Sequence, residues 1–241
     1  MKTISNSILI ALLLLAQGSW AQWGNRVSGN GNITTTTVST GNYDEIKVVG
    51  SMDVHLEKGT EGNISITTDE NLHEYVDISA NNGELVIKIQ KNANIRTKKG
   101  IHVTVPFQDL SEIKLVGSGD IDTKDVISAN QLEVGVVGSG DIVLNVATQN
   151  LEAKVTGSGD LVISGDTQNL EVSVTGSGDF RGFDLTSQNT EVNVSGSGDA
   201  KVVAKSSIKA RVNGSGDIEY RGNPAKSDTK TSGSGDITSS N

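Results

Sequence analysis

The segment 151–161, with the sequence LEAKVTGSGDL, decides how this chain folds. Its apolar and polar residues alternate up to Val155, which is the pattern of a β-strand with one buried face. The tetrapeptide GSGD then interrupts the strand, and an apolar residue restarts it. Copies of GSGD begin at Gly117, Gly138, Gly157, Gly176, Gly196, Gly214 and Gly233. The steps between copies are 21, 19, 19, 20, 18 and 19 residues, and such a period indicates stacked units rather than one closed core.

The residues on both sides of GSGD repeat the alternation. Two residues before the first glycine stand Leu115, Val136, Val155, Val174, Val194, Val212 and Thr231. Directly after the aspartate stand Ile121, Ile142, Leu161, Phe180, Ala200, Ile218 and Ile237. Several units end in a polar sequence such as Thr148-Gln149-Asn150. Each unit therefore predicts a strand, a GSGD corner, a second strand and a polar corner.

Two strands and two corners in about 19 residues leave no room for a crossover helix. The sequence predicts an all-β fold, a right-handed parallel β-helix (β-solenoid) in which each unit forms one coil. Like strands of successive coils then pair in parallel about 4.8 Å apart, and side chains at equal offsets stack. The last unit, 228–241, has lost its aliphatic residues, and we expect this polar coil to discourage further strand addition.

We expect the first glycine and the aspartate of each copy to form a structural turn ladder. Its members are Gly117, Asp120, Gly138, Asp141, Gly157, Asp160, Gly176, Asp179, Gly196, Asp199, Gly214, Asp217, Gly233 and Asp236. Glycine permits positive φ and close approach of coils, and aspartate can cap its own turn.

Stacking also brings the carboxylates of these aspartates about 5 Å apart. They then repel by roughly 0.8 kcal/mol per pair in water and about 3 kcal/mol at an effective dielectric constant near 20. Hydrogen bonds, raised pKa values or a bound cation such as Ca²⁺ would relieve this repulsion. Each corner offers only one carboxylate, and calcium-binding repeats have a period of nine residues. The sequence therefore favours structural aspartates and no metal site, with Ca²⁺ as the alternative.

The chain divides into three parts. Residues 1–21 read as a secretory signal peptide, with Lys2, an apolar stretch of about nine residues and a small-residue cleavage site before Gln22. Residues 22–110 form an irregular N-terminal β region of degenerate coils, and residues 111–241 form the regular GSGD solenoid. In the irregular region, 50–53 (GSMD) is a degenerate corner, and 70–76 could form one helical turn.

The same region contains three strand-like runs, 63–67, 84–90 and 101–107. Asn81-Asn82-Gly83 predicts a hairpin turn before the second run, and 92–100 predicts an exposed loop.

Composition excludes several classes of function. The 241 residues carry a net charge of −9 and no cysteine, which argues against nucleic-acid binding, disulfides and thiolate chemistry. No second apolar stretch follows the signal peptide, so no membrane span is predicted after its cleavage. The three histidines, His55, His73 and His102, lack metal-ligand spacing, and GSGD lacks the lysine of a phosphate-binding loop. No cofactor is predicted.

Two segments with an arginine beside an aromatic residue interrupt the repeat, Phe180-Arg181-Gly182-Phe183 and Tyr220-Arg221. An arginine beside an aromatic ring could contact a sugar or a carboxylate, so Phe180, Arg181, Tyr220 and Arg221 are candidate ligand contacts. The alternative is that Phe180 fills the core while Arg181 is solvated. A row of outward glutamates is expected to pair with nearby lysines: Glu112, Glu133, Glu152, Glu171 and Glu191. No acid pair stands out from this row as a catalytic pair would.

The repeated V-x-G-S-G-D-[IL] unit after a signal peptide resembles the family of "putative auto-transporter adhesins" with a head GIN domain, common in Bacteroidetes. The segments 45–56 (EIKVVGSMDVHL) and 110–121 (LSEIKLVGSGDI) share this resemblance. It implies a β-helix akin to the pectin-lyase-like solenoids and a role in adhesion at the cell surface, and it brings no catalytic residues.

Together these observations predict an exported, non-enzymatic cell-envelope protein located in the periplasm, on the outer surface or outside the cell. It would be an adhesin-type or scaffolding module that binds a surface protein or glycan through a repetitive β face. The alternative is a polysaccharide-binding or polysaccharide-cleaving β-helix. The sequence leaves open the identity of the ligand, the oligomeric state and whether the aspartates bind cations. It also leaves open whether residues 22–110 continue the same solenoid or pack as a separate β layer.

Overall fold

A computed structural model describes residues 26–91 and 93–240. The predicted signal peptide, residues 1–21, lies outside the described residues. The first nine strands are β1 (Arg26–Ser28), β2 (Ile33–Ser39), β3 (Glu45–Gly50), β4 (Asp53–Lys58), β5 (Asn63–Asp69), β6 (Val76–Asn81), β7 (Glu84–Ile89), β8 (Asn94–Arg96) and β9 (His102–Phe107). The others are β10 (Glu112–Gly117), β11 (Ile121–Gly138), β12 (Ile142–Gly157), β13 (Leu161–Gly176), β14 (Phe180–Gly196), β15 (Ala200–Gly214), β16 (Ile218–Arg221), β17 (Lys226–Gly233) and β18 (Ile237–Ser239). One 3-10 helix, Glu70–Tyr75, separates β5 from β6.

The repeat units stack as coils of a parallel β-solenoid, which confirms the predicted fold class. Strands β10 to β15 pair in parallel with their neighbours in sequence, and β17 pairs in parallel with β15. The register matches the first glycine of one GSGD to that of the next, as in Gly138 with Gly157 and Gly157 with Gly176. The solenoid has about 7 turns of ~19 residues.

The polar corner differs from the prediction. It is a bend inside a continuous strand, so each of β11 to β15 runs from one GSGD corner to the next. Thr148 pairs with Thr167 and Asn150 with Asn169 on the two sides of the bend. Because the ladder of neighbouring coils continues through this bend, the sequence needs no separate turn there. Most register shifts lie in the strand segment between the GSGD corner and this bend, as between Asp122 and Val126 and between Val162 and Gly165.

The interior of the solenoid is filled by the alternating apolar residues. Val136, Val155 and Val174, which stand at equivalent offsets, are at most 1% exposed. They belong to one continuous hydrophobic cluster that runs from the N-terminal strands to β16. Burying an aliphatic side chain of this size contributes about 1.5–3 kcal/mol, and each coil repeats that contribution.

The N-terminal region continues the same sheet. Strand β3 pairs in parallel with β10, with Gly50 opposite Gly117, and β4 pairs in parallel with β11. On their other side β3 pairs with β7 and β4 pairs with β9, again in parallel. The coil formed by β7 and β9 therefore follows β3 and β4 in sequence but lies beneath them in space. The sheet crosses residue 110 without a break. The division of the chain into two regions at that residue stays a proposal.

Antiparallel strands cover the N-terminal end. Strand β6 pairs with β7 through a hairpin whose turn residues Asn82 and Gly83 have φ of 52° and 91°, as a two-residue I′ turn requires. Strand β5 pairs with β9, and β2 pairs with β5. The prediction of a loop over 92–100 was partly wrong, because β8 pairs in parallel with β1. Within residues 26–91 and 93–240, no helix has the length and apolar character that a membrane span needs.

Candidate functional site

The GSGD corners stack so closely that backbone atoms of one coil occupy the space of a side chain on the next. Gly157 has φ of +123°, and a Cβ added there would lie 2.3 Å from the carbonyl oxygen of Gly138. A Cβ added to Gly159 would lie 2.0 Å from the carbonyl oxygen of Gly140. The first glycine is therefore required by its conformation and by the neighbouring coil, and the second by the neighbouring coil.

Backbone hydrogen bonds join each corner to the one before it. The carbonyl oxygen of Gly138 accepts from the amides of Ser158 (2.8 Å) and Gly159 (3.1 Å). The amide of Ile142 donates to the carbonyl oxygen of Asp160 at 3.0 Å. Since buried or strained backbone groups must find partners, this pattern explains how a sharp corner is stable without a side-chain cap of its own.

The aspartates of GSGD link neighbouring coils. Each Oδ1 accepts a hydrogen bond from the amide of the aspartate in the next coil, at 2.8–3.1 Å. The accepting residues are Asp120, Asp141, Asp160, Asp179, Asp199 and Asp217. The expectation that each aspartate caps its own turn is corrected, because the amide of the next coil lies within reach of the carboxylate. These aspartates, with Asp236, are called the aspartate ladder below.

The four candidate ligand contacts do not form one site. Phe180 is fully buried in the core, and Tyr220 packs against the core while half-buried. Arg181 is bound to the aspartate ladder, with Nη2 2.7 Å from Oδ2 of Asp160 and 3.3 Å from Oδ2 of Asp179. This guanidinium therefore offsets the repulsion between two stacked carboxylates.

Arg221 contacts an aromatic ring that was not among the candidate ligand contacts. Its Cζ lies 3.8 Å from the ring centroid of Phe183, and Nζ of Lys201 lies 5.8 Å from the same centroid. The signal was present in the sequence, since Phe183 belongs to the same break in the repeat as Phe180. Alternation along β14 places Phe183 on the face opposite the buried Phe180.

The polar corner forms a groove that follows the solenoid over several coils. The groove has a volume of ≈ 430 Å³. Its lining residues are Gln131, Asn150, Leu151, Glu152, Asn169, Leu170, Glu171, Asn189, Thr190, Glu191, Ser207, Ile208 and Lys209. The leucines, Thr190 and Ile208 are almost fully buried beneath it, so its accessible rim is composed of amide, hydroxyl and charged groups.

Three asparagines in this groove are hydrogen-bonded in a row, called the asparagine ladder below. Nδ2 of Asn169 donates to Oδ1 of Asn150 at 2.9 Å, and Nδ2 of Asn189 donates to Oδ1 of Asn169 at 3.0 Å. The hydroxyl of Ser207 continues the row by donating to Oδ1 of Asn189 at 2.8 Å. Sequence reasoning found the polar corners but missed the groove, although the recurring asparagine in successive units was the signal.

Ion pairs hold the glutamate row beside the groove. Nζ of Lys154 lies 2.5 Å from Oε1 of Glu152 and 3.0 Å from Oε1 of Glu133, and Nζ of Lys209 lies 2.6 Å from Oε1 of Glu191. The hydrogen bonds to Glu152 and Glu133 raise the pKa of Lys154 to about 12. These pairs therefore partly neutralise the row and hold Glu133, Glu152 and Glu191 in position.

Metal binding by the aspartate ladder receives no support from its geometry. Across the described part of the chain, no group of three or more His, Asp or Glu side chains is placed to hold a metal ion. One oxygen of six ladder carboxylates is already used by a neighbouring amide. The Ca²⁺ alternative stays a prediction to be tested.

Comparison with known proteins identifies relatives. The family model described as "Putative auto-transporter adhesin, head GIN domain" matches residues 42–224. A "putative adhesin" from Bacteroides fragilis superimposes with a TM-score of 0.84 at 21% identity, covering 89% of this chain and 100% of that one. A "putative lipid binding protein" from Parabacteroides distasonis gives 0.74 at 28% identity, covering 90% and 100%. A "putative adhesin" from Parabacteroides merdae gives 0.73 at 24% identity, covering 90% and 99%. The search of curated proteins found no match.

Proposed function

Because the chain belongs to the family of "putative auto-transporter adhesins" with a head GIN domain, we propose that it is an exported, non-enzymatic binding protein of the cell envelope, of adhesin or scaffolding type. The groove along the asparagine ladder is the binding surface in this proposal. The observation that carries it is the repetition of the same polar groups on successive coils along one continuous groove.

The asparagine ladder suits an extended polar ligand such as a glycan chain or an extended peptide. Each amide uses part of its hydrogen-bonding capacity within the ladder, and an amide has two donors and two lone pairs in all. The remaining donors and acceptors recur at the spacing of the coils, about 4.8 Å. A ligand lying along the groove makes several weak contacts at once, and together they give an affinity that no one contact supplies.

Rigidity of the groove supports the same function. The side chains of Asn150, Asn169 and Asn189 are held by one another, and their backbones lie in register within the sheet. Groups that are already ordered lose little entropy when a ligand binds. The groove is therefore preorganised for binding.

The repetitive arrangement also supports a non-enzymatic role. A glycoside hydrolase needs two carboxyl groups with different environments, one to donate a proton and one to act as base or nucleophile. In the groove, Glu152 and Glu191 have equivalent places on different coils, and each is paired with a lysine. Acids in equivalent environments are suited to binding a ligand. They lack the difference in environment that would make one carboxyl group the proton donor and another the base or nucleophile.

The second candidate is a polysaccharide-binding or polysaccharide-cleaving β-helix, which the groove favours because amides and carboxylates line it over several coils. The two candidates differ in what happens to a bound glycan. Incubation with polysaccharides releases reducing or unsaturated ends if the protein cleaves them. Binding without such release supports the first candidate.

The direct test is a binding panel of glycan arrays, matrix proteins, whole cells and lipid vesicles, with vesicles included because of the Parabacteroides distasonis relative. Glu171, an exposed groove residue, is replaced in the variant Glu171→Ala, and Glu219 on β16, outside the groove lining, in the matched control Glu219→Ala. We expect binding to at least one class of target, lowered several-fold by Glu171→Ala and unchanged by Glu219→Ala. An equal effect of the two variants would contradict the groove, and no binding across the panel would contradict the adhesin-type function.

A further inference from the structure

Two histidines that lie far apart in the sequence meet on the outer face of the solenoid. Strand β4 lies between β9 and β11, with Asp53 opposite His102 and His55 opposite Asp122. Nε2 of His55 is consequently 3.4 Å from Nδ1 of His102. Their side chains are 39% and 42% exposed, so this pair is accessible to solvent ions.

The outer nitrogen of each ring has a partner that can only accept a hydrogen bond. Nδ1 of His55 lies 2.7 Å from Oδ2 of Asp122, and Nε2 of His102 lies 2.9 Å from the carbonyl oxygen of Lys99. An ionised carboxylate and a backbone carbonyl have no proton to donate. These two contacts therefore place the proton on Nδ1 of His55 and on Nε2 of His102.

The two nitrogens that face each other are then both without a proton. A neutral imidazole carries one proton, so Nε2 of His55 and Nδ1 of His102 each present a lone pair to the other. Oδ2 of Asp53 lies 3.7 Å from Nδ1 of His102 and adds negative charge beside them. Two nitrogen lone pairs thus face each other with a carboxylate oxygen nearby, an arrangement that a cation stabilises.

We propose that His55 and His102 bind one late first-row divalent metal ion, such as Zn²⁺, through Nε2 and Nδ1. Two nitrogens bonded at about 2.0–2.1 Å to one tetrahedral zinc ion lie about 3.4 Å from each other, which is the separation found here. Imidazole nitrogen selects zinc, copper and nickel over magnesium and calcium. Water completes the coordination, with the carboxylate of Asp53 close enough to stabilise the charge.

The surroundings of the pair match those of histidines that bind metals. Such a histidine usually donates its other ring N–H to a carboxylate or a backbone carbonyl, which fixes the tautomer. Asp122 and Lys99 provide one of each. The rings are nearly parallel, with an interplanar angle of 11° and centroids 5.6 Å apart, so a tilt of the rings is needed to direct both lone pairs at one ion.

Isothermal titration calorimetry with ZnCl₂ on the untagged mature chain tests this site. We expect one Zn²⁺ per chain, and a loss of affinity of at least tenfold in His55→Gln and in His102→Gln. His73 contacts the hydroxyls of Thr34 and Thr36 and serves as the matched control, so His73→Gln should bind Zn²⁺ as the natural chain does. Absence of Zn²⁺ binding, or an equal loss in His73→Gln, would overturn the proposal.

A second experiment tests the tautomers without any metal. Long-range ¹⁵N–¹H NMR spectra of the metal-free protein should show His55 protonated on Nδ1 and His102 on Nε2. Asp122→Asn, which removes the charge that positions His55, should weaken Zn²⁺ binding by about 10–100-fold while the thermal unfolding curve stays close to that of the natural chain. The opposite tautomers, or Zn²⁺ binding unchanged by Asp122→Asn, would contradict the arrangement.

Discussion

The two ends of the solenoid are closed in different ways. At the N-terminal end, β6 covers β7 and β5 covers β9 by antiparallel pairing, so the chain reverses to protect its own sheet edge. At the C-terminal end, β17 keeps the parallel register of the coils but is exposed along its whole length. An exposed strand edge can recruit other chains, and polar side chains make this less favourable. The N-terminal sheet edge is therefore protected by antiparallel strands, and the C-terminal edge by polar side chains.

The ends also explain which corners need glycine. Met52 occupies the place of the second glycine in the first corner, and it is fully buried. The coil beneath it, formed by β7 and β9, has no GSGD corner between these two strands. At the other end, a Cβ on Gly235 would lie 1.9 Å from the carbonyl oxygen of Gly216. The second glycine is thus required by the coil beneath it and not by the turn itself.

The largest effect is expected where a side chain is added between stacked corners. Gly159→Ala places Cβ 2.0 Å from the carbonyl oxygen of Gly140, a backbone atom that cannot move aside as the end of a flexible side chain could. We expect a loss of more than about 4 kcal/mol in the free energy of unfolding, or failure to fold. Gly41→Ala is the control, because nothing lies within 4 Å of its added Cβ. Chemical denaturation showing equal stability for the two variants would refute the stacking argument.

The first corner should respond in the opposite way to side-chain size. Met52→Ala leaves a cavity in the core and should cost about 3 kcal/mol. Met52→Leu conserves volume and should cost less than about 1.5 kcal/mol. At the second glycine of each GSGD corner, by contrast, the neighbouring coil leaves no room for leucine. Thermal and chemical unfolding of both variants measure this difference. A severe loss in Met52→Leu would show that the turn itself demands glycine.

Removing the aspartate of an inner GSGD corner should lower the stability of the protein, whereas removing that of the last corner should not. Asp141→Ala leaves the amide of Asp160 without its acceptor and should cost about 1–3 kcal/mol. Asp236 lies in the last GSGD corner. Within residues 26–91 and 93–240, no later coil provides an amide that could donate to its carboxylate. Asp236→Ala should change stability by less than about 0.5 kcal/mol. Equal costs, measured by urea denaturation, would mean that the links between coils contribute nothing.

As the pH falls, the strands at the N-terminal end should be destabilised before the GSGD coils. Hydrogen bonds from Thr97 and from the amide of Gly31 lower the pKa of Asp69 in the folded protein. A lowered pKa contributes stability that is present above the ordinary value of 3.8 and is lost as pH falls through the folded value. Hydrogen exchange of β2 and β5 should therefore rise at acid pH more than that of β13, and Asp69→Asn should abolish this difference. Uniform exchange across both regions would contradict the prediction.

The smallest effect is expected from the ion pairs of the glutamate row. The raised pKa of Lys154, about 12, means that its contribution is complete below 10.5 and disappears as pH rises through about 12. The side chain is 45% exposed, so the contribution is only about 0.2–1 kcal/mol. Lys154→Ala should lower stability by this amount at pH 7 and by less above pH 12. A difference that stays constant with pH would exclude the ion pair as its cause.

The sequence predicted the repeated part of the molecule well, because stacking identical coils makes each structural requirement recur at the same offset. The alternation around Val155 and the glycines of GSGD therefore sufficed for the strand direction, the coil length and the buried face. The position of the coil formed by β7 and β9 was not predictable. No local pattern encodes on which side of β3 and β4 the later strands will pair.

The sites depended on register as well as on residue type. The contact of His55 with His102, the asparagine ladder and the hydrogen bond that Asp160 accepts from the amide of Asp179 all join residues that meet only when strands align to the exact residue. The binding of Arg181 to Asp160 and the burial of Phe180 required the same information. Sequence reasoning could therefore name these side chains but could not assign their partners.

Disulfide trapping tests the stacking of the coils most directly, because the natural chain contains no cysteine. Asn150 and Asn169 are register partners, so their Cα atoms lie about 4.8 Å apart, within the range of a disulfide. Asn150 and Asn189 are two coils apart, at about 10 Å, which is too far. Mild oxidation should close an intramolecular disulfide in Asn150→Cys/Asn169→Cys and none in Asn150→Cys/Asn189→Cys. The reverse result, or equal yields, would contradict the stacked solenoid.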